Sequence, residues 1–261
     1  MCPPETDAMG LELREQLETW GQLWRRRPEL EALARAVAAP GLRRILLAGC
    51  GDCHAAAEYG AALTGLRTRF EVRALPAMEA SRAYSYLLGP ETLLVALSIS
   101  GRTPRVLEAV RAARKAGSTV LAVTDDADSP LAQAAQERLV LGTAPEEALH
   151  RTDYADPEAA RYIGYQRPVA QTKTYGAAEL ALALLALAWE DLAPSGRGSP
   201  RASLEGALAE LAASGEAAAG AGAAAAALWS VAPPGSAATF CATGLGFSAA
   251  RFAAYKFLEL A

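Results

Sequence analysis

The length, composition and charge of the chain exclude several classes of protein. Its 261 residues, 52% of them hydrophobic, are enough to bury the core of one full domain and part of another. A formal net charge of -4 leaves no basic surface for a nucleic-acid backbone. The N-terminus lacks a basic region followed by an apolar stretch, and the four cysteines do not suggest a disulfide framework. We therefore expect a globular, cytoplasmic protein that contacts neither nucleic acid nor a membrane.

Five short apolar runs, each followed by a helix-length segment, predict a central sheet. Ahead of them, the spacing of leucine and tryptophan over residues 11–38 predicts two amphipathic helices that are separated near Pro28. Continuous apolar runs are typical of parallel strands that are buried on both faces. We therefore predict an α/β fold with three layers, in which a five-stranded parallel sheet lies between two layers of helices. The five runs are Ile45–Ala48, Phe70–Val72, Leu93–Leu97, Thr119–Val123 and Leu139–Leu141.

The second half of the chain has a less regular pattern. Residues 146–168 are polar and rich in Tyr, Arg and Asp, which predicts either a long loop, of the kind that often carries function, or a broken helix. An apolar helix is expected over residues 174–192, and residues 238–242 resemble a new first strand that precedes a helix. The expected divisions are residues 1–40 for the N-terminal helices, 41–192 for the α/β domain, 193–235 for a linker with an alanine-rich helix, and 236–261 for the beginning of a second, incomplete unit of the same kind.

A loop rich in hydroxyl groups follows the most apolar predicted strand. Its sequence over Ser98–Thr103 is SISGRT, in which Thr103 can cap the next helix and Gly101 allows the backbone to approach a ligand. At the carboxyl ends of parallel strands, helix N-termini present unpaired N–H groups and a positive dipole end. These N–H groups and the hydroxyls would bind a phosphate monoester without a lysine or a metal. An ordinary strand-to-helix turn is the alternative.

The end of the first predicted strand carries a second candidate, the sequence GCGDCH over Gly49–His54. Its two glycines and the start of a helix again indicate close approach of the backbone to a ligand. The segment also matches the Cys-x-x-Cys-His spacing of covalent haem attachment, but in a context without an export signal. A redox dithiol is a further alternative, because a helix N-terminus lowers the pKa of a thiol. A structural zinc bound by Cys50, Cys53 and His54 would need a fourth ligand, and the sequence has none at a recognisable spacing. We therefore expect no metal, and we also expect no cofactor.

Four segments of the chain, taken in order, resemble the sugar isomerase (SIS) domain family. The resemblance covers about residues 42–190 and is strongest to the isomerase half of glucosamine-6-phosphate synthase and its double-SIS relatives. It implies a flavodoxin-like αβα fold, a sugar-phosphate ligand and a homodimer. The four segments are Gly49–Cys53, Ser98–Thr103, Asp128–Ala132 and Val169–Lys173.

The resemblance also implies a set of substrate-binding residues. The phosphate of the sugar phosphate is bound by the hydroxyls of Ser98, Ser100 and Thr103 and by the backbone N–H of Ile99. The remaining substrate-binding residues are Gly51, Cys53, Gln171 and Lys173.

Two positions differ from the family pattern, and two other residues are candidates for catalysis. Cys53 stands where relatives often have a serine that contacts the sugar, and Gln171 also departs from the family. Glu259 falls where isomerising relatives carry the enolisation base, provided that a two-residue deletion is allowed; an ordinary exposed helix glutamate is the alternative. His54 lies at the proposed pocket and is the candidate for histidine chemistry, whereas His150 falls in the predicted long loop.

Three functions are compatible with these residues. The first is an enzyme that isomerises, deaminates or deglycates a phosphorylated sugar, with Glu259 moving a proton between adjacent carbons and His54 assisting. The second is a non-catalytic sugar-phosphate sensor or a degenerate SIS paralogue, which the departures at Cys53 and Gln171 would suit. The third is a redox or metal protein that uses the cysteines and His54.

Overall fold

A computed structural model describes residues 8–143, 172–197, 201–213, 242 and 245–260, with only the backbone of residues 8–14, 211–213 and 255–260. Two helices precede the first strand, and strands alternate with helices from there to β5. The elements in chain order are α1 (Ala8–Arg25), α2 (Arg27–Ala36), β1 (Arg44–Gly49), α3 (Asp52–Arg67), β2 (Glu71–Pro76), α4 (Ala77–Ser81), a 3-10 turn (Ser85–Leu87), β3 (Thr92–Leu97), α5 (Pro104–Lys115), β4 (Thr119–Thr124), α6 (Pro130–Ala134), β5 (Glu137–Val140), α7 (Thr172–Leu192), α8 (Arg201–Ala213) and α9 (Gly246–Leu260).

The five strands form one parallel sheet in the order β2-β1-β3-β4-β5. Arg44 at the start of β1 pairs with Glu71 on one side and with Thr92 on the other. The chain therefore leaves β1 for one neighbour and later returns to its other side, so the order reverses between β1 and β3. In open sheets of this kind, ligands bind beyond the carboxyl ends of the strands at such a switch point.

Helices cover both faces of the sheet, which confirms the predicted three-layer α/β fold. Because successive residues of a strand point to opposite faces, each central strand contributes to two cores. Ile45 and Leu47 of β1 pack in the core with α1, α2, α3 and α7, whereas Leu46 and Ala48 pack in the core with α4, α5 and α6. All four side chains are fully buried, as expected for strands that are apolar throughout.

Helix α7 joins the N-terminal helices to the sheet. Its apolar residues are buried on nearly every side, since α1 and α2 pack on it from one direction and α3 from another. Trp189 is fully buried in this layer, and its Nε1–H donates a hydrogen bond to the carbonyl oxygen of Ala34 on α2 at 3.2 Å. No helix in the part of the chain covered by the structure is long and apolar enough to cross a membrane.

Helix α9 packs against α3 and α7 near the site. The ring of Phe252 stacks on the ring of Tyr175, with centroids 3.7 Å apart and planes 4° from parallel. Arg251 Nη1 donates a hydrogen bond to Glu58 Oε1 on α3 at 2.7 Å. The helix predicted near the C-terminus is therefore present, whereas the strand predicted before it lies outside the described residues except for Ala242.

Other sequence predictions also fall outside the described residues. These are the long loop over residues 146–168 with His150, the substrate-binding Gln171, and the alanine-rich segment beyond α8. The divisions of the chain into domains stay predictions.

Candidate functional site

The loop Ser98–Thr103 connects β3 to α5 at the carboxyl edge of the sheet, beside the switch point. The backbone N–H of Ser98 donates to the carbonyl oxygen of Val123 on β4 at 3.0 Å, so the loop begins as a continuation of the sheet. Ser98 Oγ and Thr103 Oγ1 lie 2.8 Å apart and share a hydrogen bond. The fold thus brings the first and last hydroxyls of the SISGRT sequence into contact.

Thr103 occupies the N-cap position of α5. Its side chain is expected to cap the helix, but it does not do so. No hydrogen bond from the first turn reaches its hydroxyl, because that hydroxyl contacts Ser98 instead. The first helical bond runs from the N–H of Leu107 to the carbonyl oxygen of Thr103 at 3.1 Å. The N–H groups of Arg105 and Val106 precede it and have no acceptor within the helix. They belong to the positive end of the helix dipole, which favours an anion here.

Arg102 folds back onto the middle of the loop. Its Nη1 donates to the carbonyl oxygen of Ser100 at 2.9 Å and lies 2.5 Å from Oδ2 of Asp126, which is buried. The backbone N–H of Arg102 donates to Ser100 Oγ at 3.3 Å. Because Asp126 neutralises the guanidinium, the loop offers an anion hydroxyl and N–H groups rather than a free cation.

Gly101 is the point at which the loop packs against the segment that follows β4. Its φ of +62° lies in the left-handed region, and a Cβ built there would lie 2.0 Å from Ser129 Oγ and 3.0 Å from Thr124 Oγ1. Its carbonyl oxygen accepts a hydrogen bond from the N–H of Leu131 at 3.0 Å. Only glycine fits this contact without a shift of the neighbouring segment.

We predict that Gly101→Ala destabilises the protein more than Gly142→Ala. Gly142 also has a left-handed φ, of +75°, but a Cβ placed on it would have no neighbour within 4 Å among the described residues. The left-handed conformation alone costs about 1–2 kcal/mol for a residue with a side chain, and the clash with Ser129 adds overpacking of about 1–3 kcal/mol. Urea unfolding should therefore show a loss of about 2–5 kcal/mol for Gly101→Ala. Equal losses in the two variants would contradict the close contact.

The turn between β4 and α6, Thr124–Leu131, holds the loop from the side and is called here the β4–α6 turn. Thr124 Oγ1 donates to the carbonyl oxygen of Ile99 at 2.9 Å, and the backbone N–H of Asp125 donates to the same oxygen at 2.9 Å. Sequence reasoning assigned this turn no role, although Asp128–Ala132 contributes to the resemblance. The available signal is a run of hydroxyl and acidic side chains directly after a buried strand.

The segment Gly49–His54 lies on the other side of the switch point and meets the loop. A Cβ on Gly49 would lie 2.7 Å from the carbonyl carbon of Cys53, so this glycine permits the first turn of α3 to pack on the strand end. Gly51 is the N-cap residue of α3. The thiol of Cys53 forms a hydrogen bond with the backbone of Ile99. The two segments singled out in the sequence are therefore neighbours at one edge of the sheet.

Both cysteines of this segment have raised thiol pKa values, so their thiolate forms are disfavoured. Burial raises the pKa of the Cys53 thiol to about 12, and the backbone hydrogen bond with Ile99 only partly opposes it. Partial loss of solvation also raises the pKa of the Cys50 thiol, although this residue is exposed. The alternative of a redox dithiol relies on a thiol pKa lowered by the N-terminus of α3, and both thiol pKa values are instead raised. Within the described ranges, no group of three or more His, Cys, Asp or Glu side chains is placed to hold a metal ion.

We predict that iodoacetamide at pH 8 alkylates Cys50 well before Cys53. Cys50 is exposed, whereas Cys53 is half-buried, and a thiol with a pKa of about 12 is ionised in only about one molecule in ten thousand at pH 8. Peptide mapping by mass spectrometry follows each cysteine separately, and the same reaction in urea provides the control in which both react. Equal rates in the folded protein would show that Cys53 is not protected.

His54 lies in the first turn of α3, where its surroundings favour the neutral imidazole. Burial lowers its pKa, and the carboxylate of Glu58, with Oε1 3.7 Å from His54 Nε2, opposes this shift without reversing it. Among the described residues, Nδ1 of His54 has no hydrogen-bond partner. A neutral imidazole can accept a proton, which is the property that the predicted histidine chemistry requires.

A carboxyl group, two tyrosines and a serine meet where α3, α7 and α9 pack together. Tyr175 Oη donates to Glu179 Oε1 at 2.5 Å, and Ser248 Oγ lies 3.3 Å from the same oxygen. Burial raises the pKa of Glu179, although both donors favour its ionised form. Burial, with the nearby charge of Glu179, raises the pKa of Tyr59 to about 12. Helix α9 thus contacts a carboxyl group whose charged form burial disfavours.

We predict that Glu179→Gln makes the protein more stable than the wild type at pH 8 and not at pH 4. With a folded-state pKa above the unfolded one, the carboxyl contributes stability that is fully present below the unfolded pKa and lost as the pH rises through the folded pKa. Glutamine keeps an oxygen acceptor for Tyr175 and removes this loss. Urea unfolding at pH 4, 6 and 8 measures the difference between variant and wild type, and a difference independent of pH would contradict the prediction.

The remaining predicted residues are not joined to the loop by the described contacts. Lys173 is buried, and its Nζ lies 2.6 Å from Glu15 Oε2 on α1. The carboxylate of Glu15 therefore balances the charge of Lys173. Gln171 lies outside the described residues, and only the backbone of Glu259, within α9, is described.

A groove of about 550 Å³ lies at the opposite, amino edge of the sheet. Arg44 in its wall donates to Glu71 Oε2 from two nitrogens, at 2.9 and 2.7 Å. Arg43 lies 3.8 Å from Glu91, and both side chains are largely exposed. The groove is thus a second place with arginines, well separated in the fold from the Ser98–Thr103 loop.

Comparison with known proteins identifies the domain. Residues 42–154 match the family model of the SIS domain. The C-terminal domain of glucosamine-fructose-6-phosphate aminotransferase from Francisella tularensis superposes with a TM-score of 0.71 at 17% identity, over 99% of this chain and 69% of that one. Glucosamine-6-phosphate deaminase from Thermotoga maritima gives a TM-score of 0.52 at 18% identity, over 76% and 53% of the two chains. These likenesses show the fold, and the α/β domain is an SIS domain.

Two curated proteins with similar sequences are both enzymes of the same name. The glutamine–fructose-6-phosphate aminotransferase [isomerizing] of Symbiobacterium thermophilum is 34% identical over 153 residues, which is 56% of this chain. The enzyme of the same name from Clostridium tetani is 29% identical over 127 residues, or 47% of this chain. Each match spans 20% of the relative's length. The matched part of the chain is therefore homologous to the isomerase domain of these aminotransferases, and it corresponds to about a fifth of their length.

Proposed function

We propose that this SIS domain binds the phosphate of a sugar phosphate in the Ser98–Thr103 loop. The observation that carries the proposal is the contact between the Ser98 and Thr103 hydroxyls at the N-terminus of α5, beside the switch point of the sheet. Hydroxyls and first-turn N–H groups together match the acceptor oxygens of a phosphate, and the helix dipole favours its negative charge. Ser100 and the backbone of Ile99 lie within the same loop and complete the proposed phosphate ligands.

In this proposal the bound sugar phosphate undergoes isomerisation or deamination. Anchoring of the phosphate orients C1 and C2 of the sugar, so that a base can move a proton between them through an enediol-like intermediate. Glu259 is the proposed base, and the neutral His54 is proposed to accept or donate the proton of ring opening. Gly51, Cys53, Gln171 and Lys173 are the proposed contacts to the rest of the substrate.

The names of the relatives support the substrate class. The curated relatives are named as isomerising aminotransferases of fructose 6-phosphate, and one structural neighbour as a glucosamine-6-phosphate deaminase. A ketose, aldose or amino-sugar phosphate is therefore the class of ligand that we propose. A homodimer located in the cytoplasm, without nucleic-acid or membrane partners, belongs to the same proposal.

The experiment measures the binding and the conversion of several sugar phosphates. Calorimetry measures the affinity for fructose 6-phosphate, glucose 6-phosphate and glucosamine 6-phosphate, with the unphosphorylated sugars as matched controls. NMR in D₂O follows conversion and the incorporation of deuterium at C1 or C2, which reports proton transfer even where the net conversion is small. We expect binding that depends on the phosphate, together with turnover of at least one compound; a protein that binds none of the phosphates would contradict the proposal.

A non-catalytic sugar-phosphate sensor is the second candidate. It is favoured by Cys53, which stands where relatives often carry a serine and whose thiol is half-buried against Ile99, with a pKa that burial raises to about 12. A thiol is a weaker hydrogen-bonding group than a hydroxyl. Tight phosphate-dependent binding without deuterium incorporation would support the sensor and exclude the enzyme.

A further inference from the structure

We propose that Thr124 and Asp126 are positioning residues for phosphate binding. Neither is among the proposed phosphate ligands; both lie in the β4–α6 turn and act on the Ser98–Thr103 loop through its backbone and through Arg102. This inference rests on the proposed function, because it concerns the shape of the same loop.

Thr124 ties the front of the loop to β4. It is fully buried, and its Oγ1 donates to the carbonyl oxygen of Ile99 at 2.9 Å while accepting from the N–H of Asp126 at 3.3 Å. Ile99 lies between the two serines of the loop, Ser98 and Ser100. The orientation of its peptide groups therefore sets the direction in which both serine side chains leave the backbone.

Asp126 ties down the middle of the loop through Arg102. Arg102 Nη1 bridges the carbonyl oxygen of Ser100 and Oδ2 of Asp126, at 2.9 and 2.5 Å. The other carboxylate oxygen, Oδ1, accepts the N–H of Asp128 at 2.9 Å. Asp126 is only 4% exposed, so the ion pair is formed at a fixed position inside the turn.

These contacts would keep the loop in its binding shape before a ligand arrives. A loop of small residues loses conformational entropy when it closes on an anion, and contacts that fix it beforehand reduce that cost. A pre-shaped loop therefore binds phosphate more tightly than a loose one with the same hydroxyls. The effect should appear in the affinity for the phosphorylated ligand and be absent for the unphosphorylated sugar.

The first test compares Thr124→Val, Thr124→Ser and Thr68→Val. Valine keeps the shape of threonine and removes the hydroxyl, whereas serine keeps the hydroxyl. Thr68 is the matched control, because it is equally buried and its Oγ1 donates to the carbonyl oxygen of Thr64 at 2.8 Å, at the far end of α3. We expect Thr124→Val to weaken fructose 6-phosphate binding about tenfold, Thr124→Ser to restore it within about twofold, and Thr68→Val to lose stability but not affinity.

The second test uses Asp126→Asn, which separates positioning from direct electrostatics. Asparagine keeps Oδ1 for Asp128 but replaces the oxygen that holds Arg102 with an NH₂ group. If Asp126 positions the loop, affinity falls about tenfold. If Asp126 merely draws a useful cation away from the phosphate, the freed Arg102 makes binding tighter, and the inference is wrong. This variant also serves if Thr124→Val does not fold.

The outcomes distinguish this inference from the proposed function. If the wild type binds fructose 6-phosphate and Ser98→Ala/Thr103→Ala does not, while Thr124→Val and Asp126→Asn bind like the wild type, the positioning role is refuted and the phosphate site stands. Equal stability losses with unchanged affinity in Thr124→Val and Thr68→Val would refute the positioning role in the same way. If the wild type binds no sugar phosphate, both proposals fail.

Discussion

Removing the hydroxyls of Ser98 and Thr103 together is expected to weaken sugar-phosphate binding at least about a hundredfold. Hydrogen bonds to a charged group contribute about 1.5–3 kcal/mol each, so two of them amount to about 3–6 kcal/mol, and each 1.4 kcal/mol changes an affinity about tenfold. Calorimetry with fructose 6-phosphate on Ser98→Ala/Thr103→Ala measures the loss. Because the two hydroxyls lie 2.8 Å apart and bond each other, the single variants should not add up to the double variant.

Ser118→Ala is the matched control for this loss. Ser118 is as buried as Ser98, and its Oγ donates to the carbonyl oxygen of Gly89 at 3.0 Å near the amino end of β4. The control should lose stability and keep its affinity. Unchanged affinity in Ser98→Ala/Thr103→Ala would refute the phosphate assignment, since the contact between these two hydroxyls is the observation that carries it.

Replacing Glu259 with glutamine is expected to lower kcat about 10²–10⁴-fold while leaving the affinity for the substrate within about threefold. If this carboxylate is the base, glutamine removes proton transfer but fills the same space, so binding through the phosphate persists. The measurement pairs NMR-detected deuterium incorporation with calorimetry on the same preparation. Glu259 lies in α9, which the Arg251–Glu58 contact holds against α3.

Glu137→Gln is the control for the loss of a carboxylate. Glu137 is exposed on the edge strand β5, so its replacement should leave turnover unchanged. Retention of kcat in Glu259→Gln would remove Glu259 from the mechanism without touching the phosphate site. Absence of turnover in the wild type, with binding intact, would support the sensor.

The sheet and its helical layers could be predicted because the signal is local. The strands β1, β3 and β4 are almost entirely apolar, and such runs at regular intervals with helices between them have few other folded solutions. The order of the strands could not be predicted in this way, because it depends on which runs pair across the sheet. The apolar pattern carries no information on that pairing.

The residues of the candidate site could be named from the sequence, but the contacts between them could not. The hydroxyls of Ser98 and Thr103 stand out in the sequence, but the contact between them depends on how the loop curves between β3 and α5. The same contact explains why the expected side-chain cap by Thr103 is absent. The support from Thr124 could not be predicted because it joins residues 25 positions apart through a single side chain.

Cys53 shows how burial overrides a local rule. A cysteine in the first turn of a helix is expected to have a lowered thiol pKa, because the dipole stabilises the thiolate. In the folded chain Cys53 packs between the end of β1 and the backbone of Ile99, and loss of solvation outweighs the helix. The dielectric surroundings of a side chain are a tertiary property, so the redox hypothesis could be weighed only against the structure.

A crystal structure with fructose 6-phosphate bound tests the central claim most directly. We expect phosphate oxygens within about 3 Å of the hydroxyls of Ser98 and Thr103 and of the first-turn N–H groups of α5. Density for the phosphate in the arginine-lined groove at the amino edge, or anywhere that leaves both hydroxyls without a contact, would contradict the account.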